Sequence, residues 1–160
     1  ILRGCNMGSS FGICCNECGY SKNIQIGIGM RYSPSNLMDF DSDFAMLPSL
    51  IRSKKTVEHI RILIENQNAV IADGYGHDTY RCPKCGEFYG RFFIHLDYPG
   101  GSFEPEYKCS KCRFNLERVN CDFTHGYDAD EKHELLASLP CPKCGRNTLY
   151  VDTVTIILWD

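Results

Sequence analysis

No stretch of this chain stays apolar long enough to cross a bilayer, and its apolar end, Thr153 to Trp159, is far too short. No charged start followed by an apolar run marks a secretory leader. Catalytic signatures are missing as well: there is no His-Glu-x-x-His, no phosphate-cradling glycine loop and no Gly-x-Ser-x-Gly. Nor is there a large charge of one sign. The net charge is −3 over 160 residues, which sets the chain apart from free-standing duplex binders with a global basic footprint. Hydrophobic content of 43% and charged content of 23% exclude a disordered chain and leave room for one domain or two small ones.

Cysteine is abundant. There are 11, an odd number, and eight fall in Cys-x-x-Cys pairs, a pattern that points to reduced, metal-bound thiolates in the cytoplasm rather than to secreted disulfides. The pairs are Cys15/Cys18, Cys82/Cys85, Cys109/Cys112 and Cys141/Cys144. A two-residue spacer lets both sulfurs of a pair face one ion. A glycine after the second cysteine can take a positive φ and turn backbone N–H groups toward the thiolates. Gly19, Gly86 and Gly145 hold that position, and Arg113 holds it in the third pair. Eight thiols suffice for two four-cysteine sites, so two Zn²⁺ per chain are expected. A thioredoxin-like dithiol would instead open a helix, whereas these pairs precede glycine and strand-like sequence. Cys5, Cys14 and Cys121 are left over as ordinary small residues, with Cys14 placed to substitute as a ligand.

Residues 1–13 carry no periodicity, and Met7 reads equally well as a natural start with a remnant before it. Ile24, Ile26, Ile28 and Met30 alternate with Gln25, Gly27, Gly29 and Arg31, which predicts a half-buried strand. Asp39, Asp41 and Asp43 mark a solvated loop leading into a helix over 50–67, where Val57, Ile60 and Ile64 form a stripe that Ile62 breaks. Arg52, Lys54, Lys55 and Arg61 make this segment basic. Residues 68–80 read as a strand or turn. Glu131 to Leu139 reads as a short helix. Thr148 to Trp159 is a strand apolar on both faces, expected to be central or covered on both sides.

Between Cys82 and Cys112, an alternating run (Phe92, Ile94, Leu96, Tyr98) meets the turn Pro99-Gly100-Gly101-Ser102 and returns through Phe103 to Lys108. Knuckle, hairpin, knuckle resembles the zinc-ribbon superfamily over about thirty residues. The resemblance implies a fold element with ligands Cys82, Cys85, Cys109 and Cys112, and no particular activity. The remaining knuckles, each followed by a strand, then supply Cys15, Cys18, Cys141 and Cys144 to a second ribbon. The expected fold is small α+β: two zinc ribbons of antiparallel hairpins with a helical segment between the first and second knuckles. Residues 1–81 and 113–160 form a composite outer domain around an inserted ribbon, 82–112. Sequential and cross-braced pairings of the knuckles remain open alternatives.

Pro140-Cys141-Pro142-Lys143-Cys144 matches half of the zinc-deaminase signature, but His133-Glu134 is adjacent rather than spaced, and four thiolates leave no position for water. Ribbon transcript-cleavage factors carry an adjacent Asp-Glu pair at a hairpin tip, whereas this tip has only Asp97, Glu104 and Glu106 around it. His59, His77, His95, His125 and His133 are scattered, with Cys121 and His125 close enough in sequence for an accessory pair. No catalyst assembles from these motifs.

The expected function is that of a zinc-stabilised adapter acting through protein–protein contacts. The alternative is a nucleic-acid-binding protein attached to transcription or RNA handling. Residues 81–118 hold seven Lys/Arg and five Asp/Glu, against three and seven in 119–160, so any basic surface lies in the ribbon. Arg91, Phe93, His95, Lys108, Lys111 and Arg113, with Lys54 and Lys55 from the helix, are the candidate binding surface.

Overall fold

Residues 8–29, 31–119 and 136–159 are described in a computed structural model, the last seven by backbone alone. The architecture is small α+β, with three short antiparallel sheets and few helices. The first sheet has the order β2 (Ser21–Ile26), β1 (Gly8–Cys15), β9 (Leu149–Trp159). Its central strand comes from a stretch without hydrophobic alternation, Gly-Ser-Ser-Phe-Gly-Ile-Cys-Cys. Small residues suit that place, because a Cβ at Gly12 would stand 3.3 Å from the Asp152 Cβ on β9. The strand therefore follows from close pairing on both edges rather than from an apolar face. β9, expected to be central or covered on both sides, lies at the sheet edge among the described residues, with β1 between it and β2.

The predicted strand 24–31 is shorter than its alternation suggests. It ends at Ile26 because Gly27 takes φ +82° and bridges instead to His77, with paired N–H···O bonds of 2.9 and 2.8 Å. Two single-turn helices follow, α1 (Pro34–Leu37) and α2 (Leu47–Leu50). The acidic loop between them is organised by Asp39, whose carboxylate accepts the Asp41 and Ser42 amides at 3.2 and 3.1 Å. The predicted helix becomes α3 (Lys54–Gln67). Ser53 caps its start by accepting the Thr56 amide at 3.2 Å, and Asn68 ends it at φ +53°. Ile60 and Leu63 are buried, while Ile62 is 40% exposed.

After β3 (Val70–Ile71), β4 (Gly76–Arg81) runs into the second knuckle, which is itself the turn joining β4 to β5 (Phe88–Phe93). Here the structure departs from the single hairpin expected between knuckles. The alternating run divides after Phe93: β5 pairs with β4, whereas β6 (Leu96–Tyr98) pairs with β7 (Gly101–Phe103) and with β3. Both Phe92 and Phe93 are buried, as are Ile94 and Leu96, so the segment is covered on both faces and turns from one sheet into another. The tight turn at Pro99-Gly100 stands where the sequence places it. β8 (Glu117–Arg118) completes the sheet of β5, β4 and β8.

Among the described residues there are three buried clusters, and β5 contributes to all of them: Phe88 under the first sheet, Phe92 against the helices, and Tyr89 beside Cys82 and Cys109. Residues 136–138 are helical and Leu136 is buried; the rest of the predicted helix 131–139, with Cys5, Cys121 and His125, lies outside the described residues. Among the described residues, no helix is long and apolar enough to cross a membrane.

Candidate metal centres and an adjoining basic cleft

Each knuckle is a tight turn closed by its own backbone. The first cysteine's N–H donates to the carbonyl five residues on, as in Cys82 to Glu87 (2.9 Å), Cys109 to Phe114 (2.8 Å) and Cys141 to Arg146 (2.9 Å). The residue after the second cysteine is left-handed in all four: Gly19 at φ +67°, Gly86 at +76°, Gly145 at +74° and Arg113 at +64°. Arg113 thus holds a conformation that costs an L-residue about 1–2 kcal/mol. Amide N–H groups turn toward sulfur, with Glu17 N 3.4 Å from Cys15 Sγ and Lys143 N 3.4 Å from Cys141 Sγ.

The fold gathers the knuckles in two groups. Cys15, Cys18, Cys141 and Cys144 form one, Cys82, Cys85, Cys109 and Cys112 the other, and in each the sulfurs all lie within 4.8 Å of one another. Cross-knuckle separations are 3.8 Å (Cys15–Cys144), 3.6 Å (Cys18–Cys141), 3.3 Å (Cys82–Cys112) and 3.6 Å (Cys85–Cys109). A disulfide needs about 2.04 Å. Four thiolates at ~2.3 Å from a tetrahedral ion stand about 3.8 Å apart, so the spacing fits a metal shell.

The acid–base chemistry agrees. The Thr148 hydroxyl, 3.1 Å away, and amides of its own knuckle draw Cys15 down to about 6, while burial pushes Cys18 up to about 12. In the second group burial opposes ionisation of Cys109, but the Tyr89 hydroxyl and two knuckle amides outweigh it and bring the thiol to about 6. The Glu87 amide pulls Cys85 down, but burial and the neighbouring thiols outweigh that pull and raise it to about 12. Coordination to a cation would favour all four thiolates of a group at once.

The two groups are bolted to each other. Glu87, only 4% exposed, accepts the Tyr20 hydroxyl at 2.6 Å from the first group's side and pairs with Lys111 from the second. Burial works against its charge, but Lys111 and Tyr20 hold its carboxyl below the usual range. Sequence reasoning missed this contact, although Tyr20 and Glu87 both follow the knuckle glycine.

Beside the second group lies a cleft of about 1070 Å³ between β2, β5, the start of α3 and the loop before Cys109. Lys22, Arg52, Arg91, Lys108 and Arg113 line it, with Glu106 as the one carboxylate in the lining. None of the five cations makes an ion pair with a carboxylate among the described residues. Tyr89 connects cleft and cysteines. Its ring carries the Arg91 guanidinium at 4.9 Å and the Lys22 ammonium at 5.4 Å, and its hydroxyl stands 3.2 Å from Cys109 Sγ.

Of the candidate surface, Arg91, Lys108 and Arg113 thus line the cleft. Lys54 and Lys55 are exposed outside its lining. Lys111 is engaged by Glu87. His95 is held between Glu104 (2.7 Å) and Asp97 (3.0 Å). Phe93 is buried with the Arg118 guanidinium 3.7 Å over its ring. Arg52 was visible within a basic stretch, whereas nothing local marks Lys22, which reaches the cleft through the packing of β2 on β5.

No family model matches the chain, and neither a curated protein nor a solved structure matches it.

Proposed function

We propose that each four-cysteine group holds one structural Zn²⁺ and that the chain is a zinc-stabilised, non-catalytic protein that binds nucleic acid. A shell of four thiolates closes the metal to substrate and leaves it a structural part. The observation that carries the binding role is the cleft: five cations and one carboxylate in a chain whose net charge is −3. Charge averaged along the sequence favours a protein adapter, because it cannot register that residues 22, 52, 91, 108 and 113 converge.

The adapter reading keeps one support of its own. β9, eleven residues long, pairs only with β1 among the described residues, and an open strand edge can receive a partner's strand.

Two measurements test the proposal. A native mass spectrum is expected to show two zinc ions per chain with all thiols reduced, and chelation to unfold the protein, since sites of this kind contribute on the order of 10 kcal/mol to folding. One ion, or disulfides, would end the two-site reading. The zinc-loaded chain is expected to bind mixed-sequence nucleic acid with affinity that falls as salt rises; absence of any such binding would leave the adapter role.

A further inference from the structure

We infer that the cleft takes the phosphate backbone of a single nucleic-acid strand, led inward past Lys108, Arg113 and Arg52 to Arg91. The inference rests on the nucleic-acid reading and specifies its ligand. Arg91 is the pivotal group. It lies on β5 in the lining of the cleft, partly buried, with its guanidinium donating to the Gly90 carbonyl at 2.7 Å and no carboxylate paired with it among the described residues. Burial first, and then the neighbouring Arg52 charge, draw its pKa down. Two guanidinium groups held near each other without a counter-charge repel, and a bound phosphate relieves that repulsion while accepting their hydrogen bonds.

Access decides between strand and duplex. A duplex presents its phosphates on a rigid convex surface and meets exposed rim groups such as Lys108, Arg113 and Arg52. A single strand bends, and can deliver one phosphate to a partly buried Arg91 while its neighbours meet the rim. A volume of about 1070 Å³ suits a short run of one strand. The ligand is also more than an isolated anion, because the five cations come from four separate segments along the cleft.

The test uses the full zinc-loaded chain and a fluorescein-labelled 12-nucleotide single strand, as DNA and as RNA, read by anisotropy. Five phosphate contacts predict a slope of log K against log salt of about −3.5, so that affinity falls about 100-fold between 50 and 200 mM salt. Arg91→Gln is expected to flatten the slope by about 0.7, and so is Lys108→Gln, which alters an exposed side chain and keeps the test valid if the first variant folds poorly. Lys55→Gln, outside the cleft, is expected to leave the slope unchanged. A blunt duplex of the same sequence is expected to bind at least about tenfold more weakly.

Each contrary result is distinct. Duplex binding as tight as single-strand binding, and indifferent to Arg91→Gln, would overturn the inference and leave the nucleic-acid reading standing. Equal competition by a nucleoside monophosphate would reduce the cleft to a single-anion pocket and overturn the strand. Polyglutamate bound as tightly, with the same sensitivity to Arg91, would assign the cleft to an acidic protein. No binding to any nucleic acid would overturn both the inference and the reading under it.

Discussion

Replacing Glu87 by Gln keeps the side chain's shape and removes its charge, which isolates what the carboxylate does between the two cysteine groups. Hydrogen bonds to a charged acceptor contribute about 1.5–3 kcal/mol each. Lys111 is 63% exposed and regains water when released, so most of its share is offset. The Tyr20 hydroxyl is less exposed and keeps an amide acceptor, but a weaker one. A net loss of about 2 kcal/mol follows, or about 4–8 °C in the melting temperature of a chain this size. Circular dichroism melts of zinc-loaded wild type, Glu87→Gln, Tyr20→Phe and the double variant measure it, with a coupling of at least about 0.5 kcal/mol expected between the two positions. The sign in pH is fixed by the lowered folded pKa. The carboxylate's contribution is full above its unfolded value of about 4.3 and is lost as pH falls through the folded value. The wild-type advantage over Glu87→Gln is therefore expected undiminished from about pH 6 to 8. A melt within about 1 °C of wild type, or no coupling to Tyr20, would refute the idea that Glu87 joins the groups.

Three further expectations are independent of one another. His95 is predicted to titrate above its ordinary value of about 6.5, because Glu104 first and Asp97 second favour its charged form; its contribution to stability is full below that value and lost as pH rises through the raised one, and NMR titration of wild type against Glu104→Gln checks it. Gly76→Ala is predicted to destabilise by about 3 kcal/mol, since a Cβ there, at φ +153°, would meet the Gly27 carbonyl oxygen at 2.9 Å and Ile28 Cγ2 at 2.8 Å; a denaturant midpoint equal to wild type would contradict this. Arg113→Gly is predicted to raise stability by about 1 kcal/mol by relieving the left-handed strain, and to flatten the salt slope of binding by about 0.7; a loss of stability in denaturant melts would contradict the first part.

What the sequence made legible is what depends on near neighbours. A Cys-x-x-Cys turn carries its ligand geometry within five residues, and the helix stripe, down to the exposed Ile62, is a matter of period. Which knuckle meets which depends on tertiary packing, and spacing alone left it open. The central strand β1 was hidden because serine and glycine give no apolar signal, yet their small size is what admits close partners on both sides. The run from Phe92 to Tyr98 alternates throughout, but alternation does not say which edge a strand will join or where it changes sheets. Phe93 was counted in the candidate binding surface, whereas it is buried and Arg118, from a strand distant in sequence, lies over its ring. The cleft was the least legible feature, because its cations span Lys22 to Arg113 in the chain.

The first cysteine group takes two members from residues 15–18 and two from 141–144, whereas the second is complete by residue 112. A chain made from its N-terminus cannot fill them in the order in which their first ligands appear. On the two-ion proposal, the second group can take its ion while the last knuckle is still being translated. Until then Cys15 and Cys18 wait with half a shell, open to oxidation or to a thiol on a neighbouring nascent chain. The same proposal makes the first knuckle the place where newly made protein is expected to misbridge, the more so when synthesis slows between residues 112 and 141.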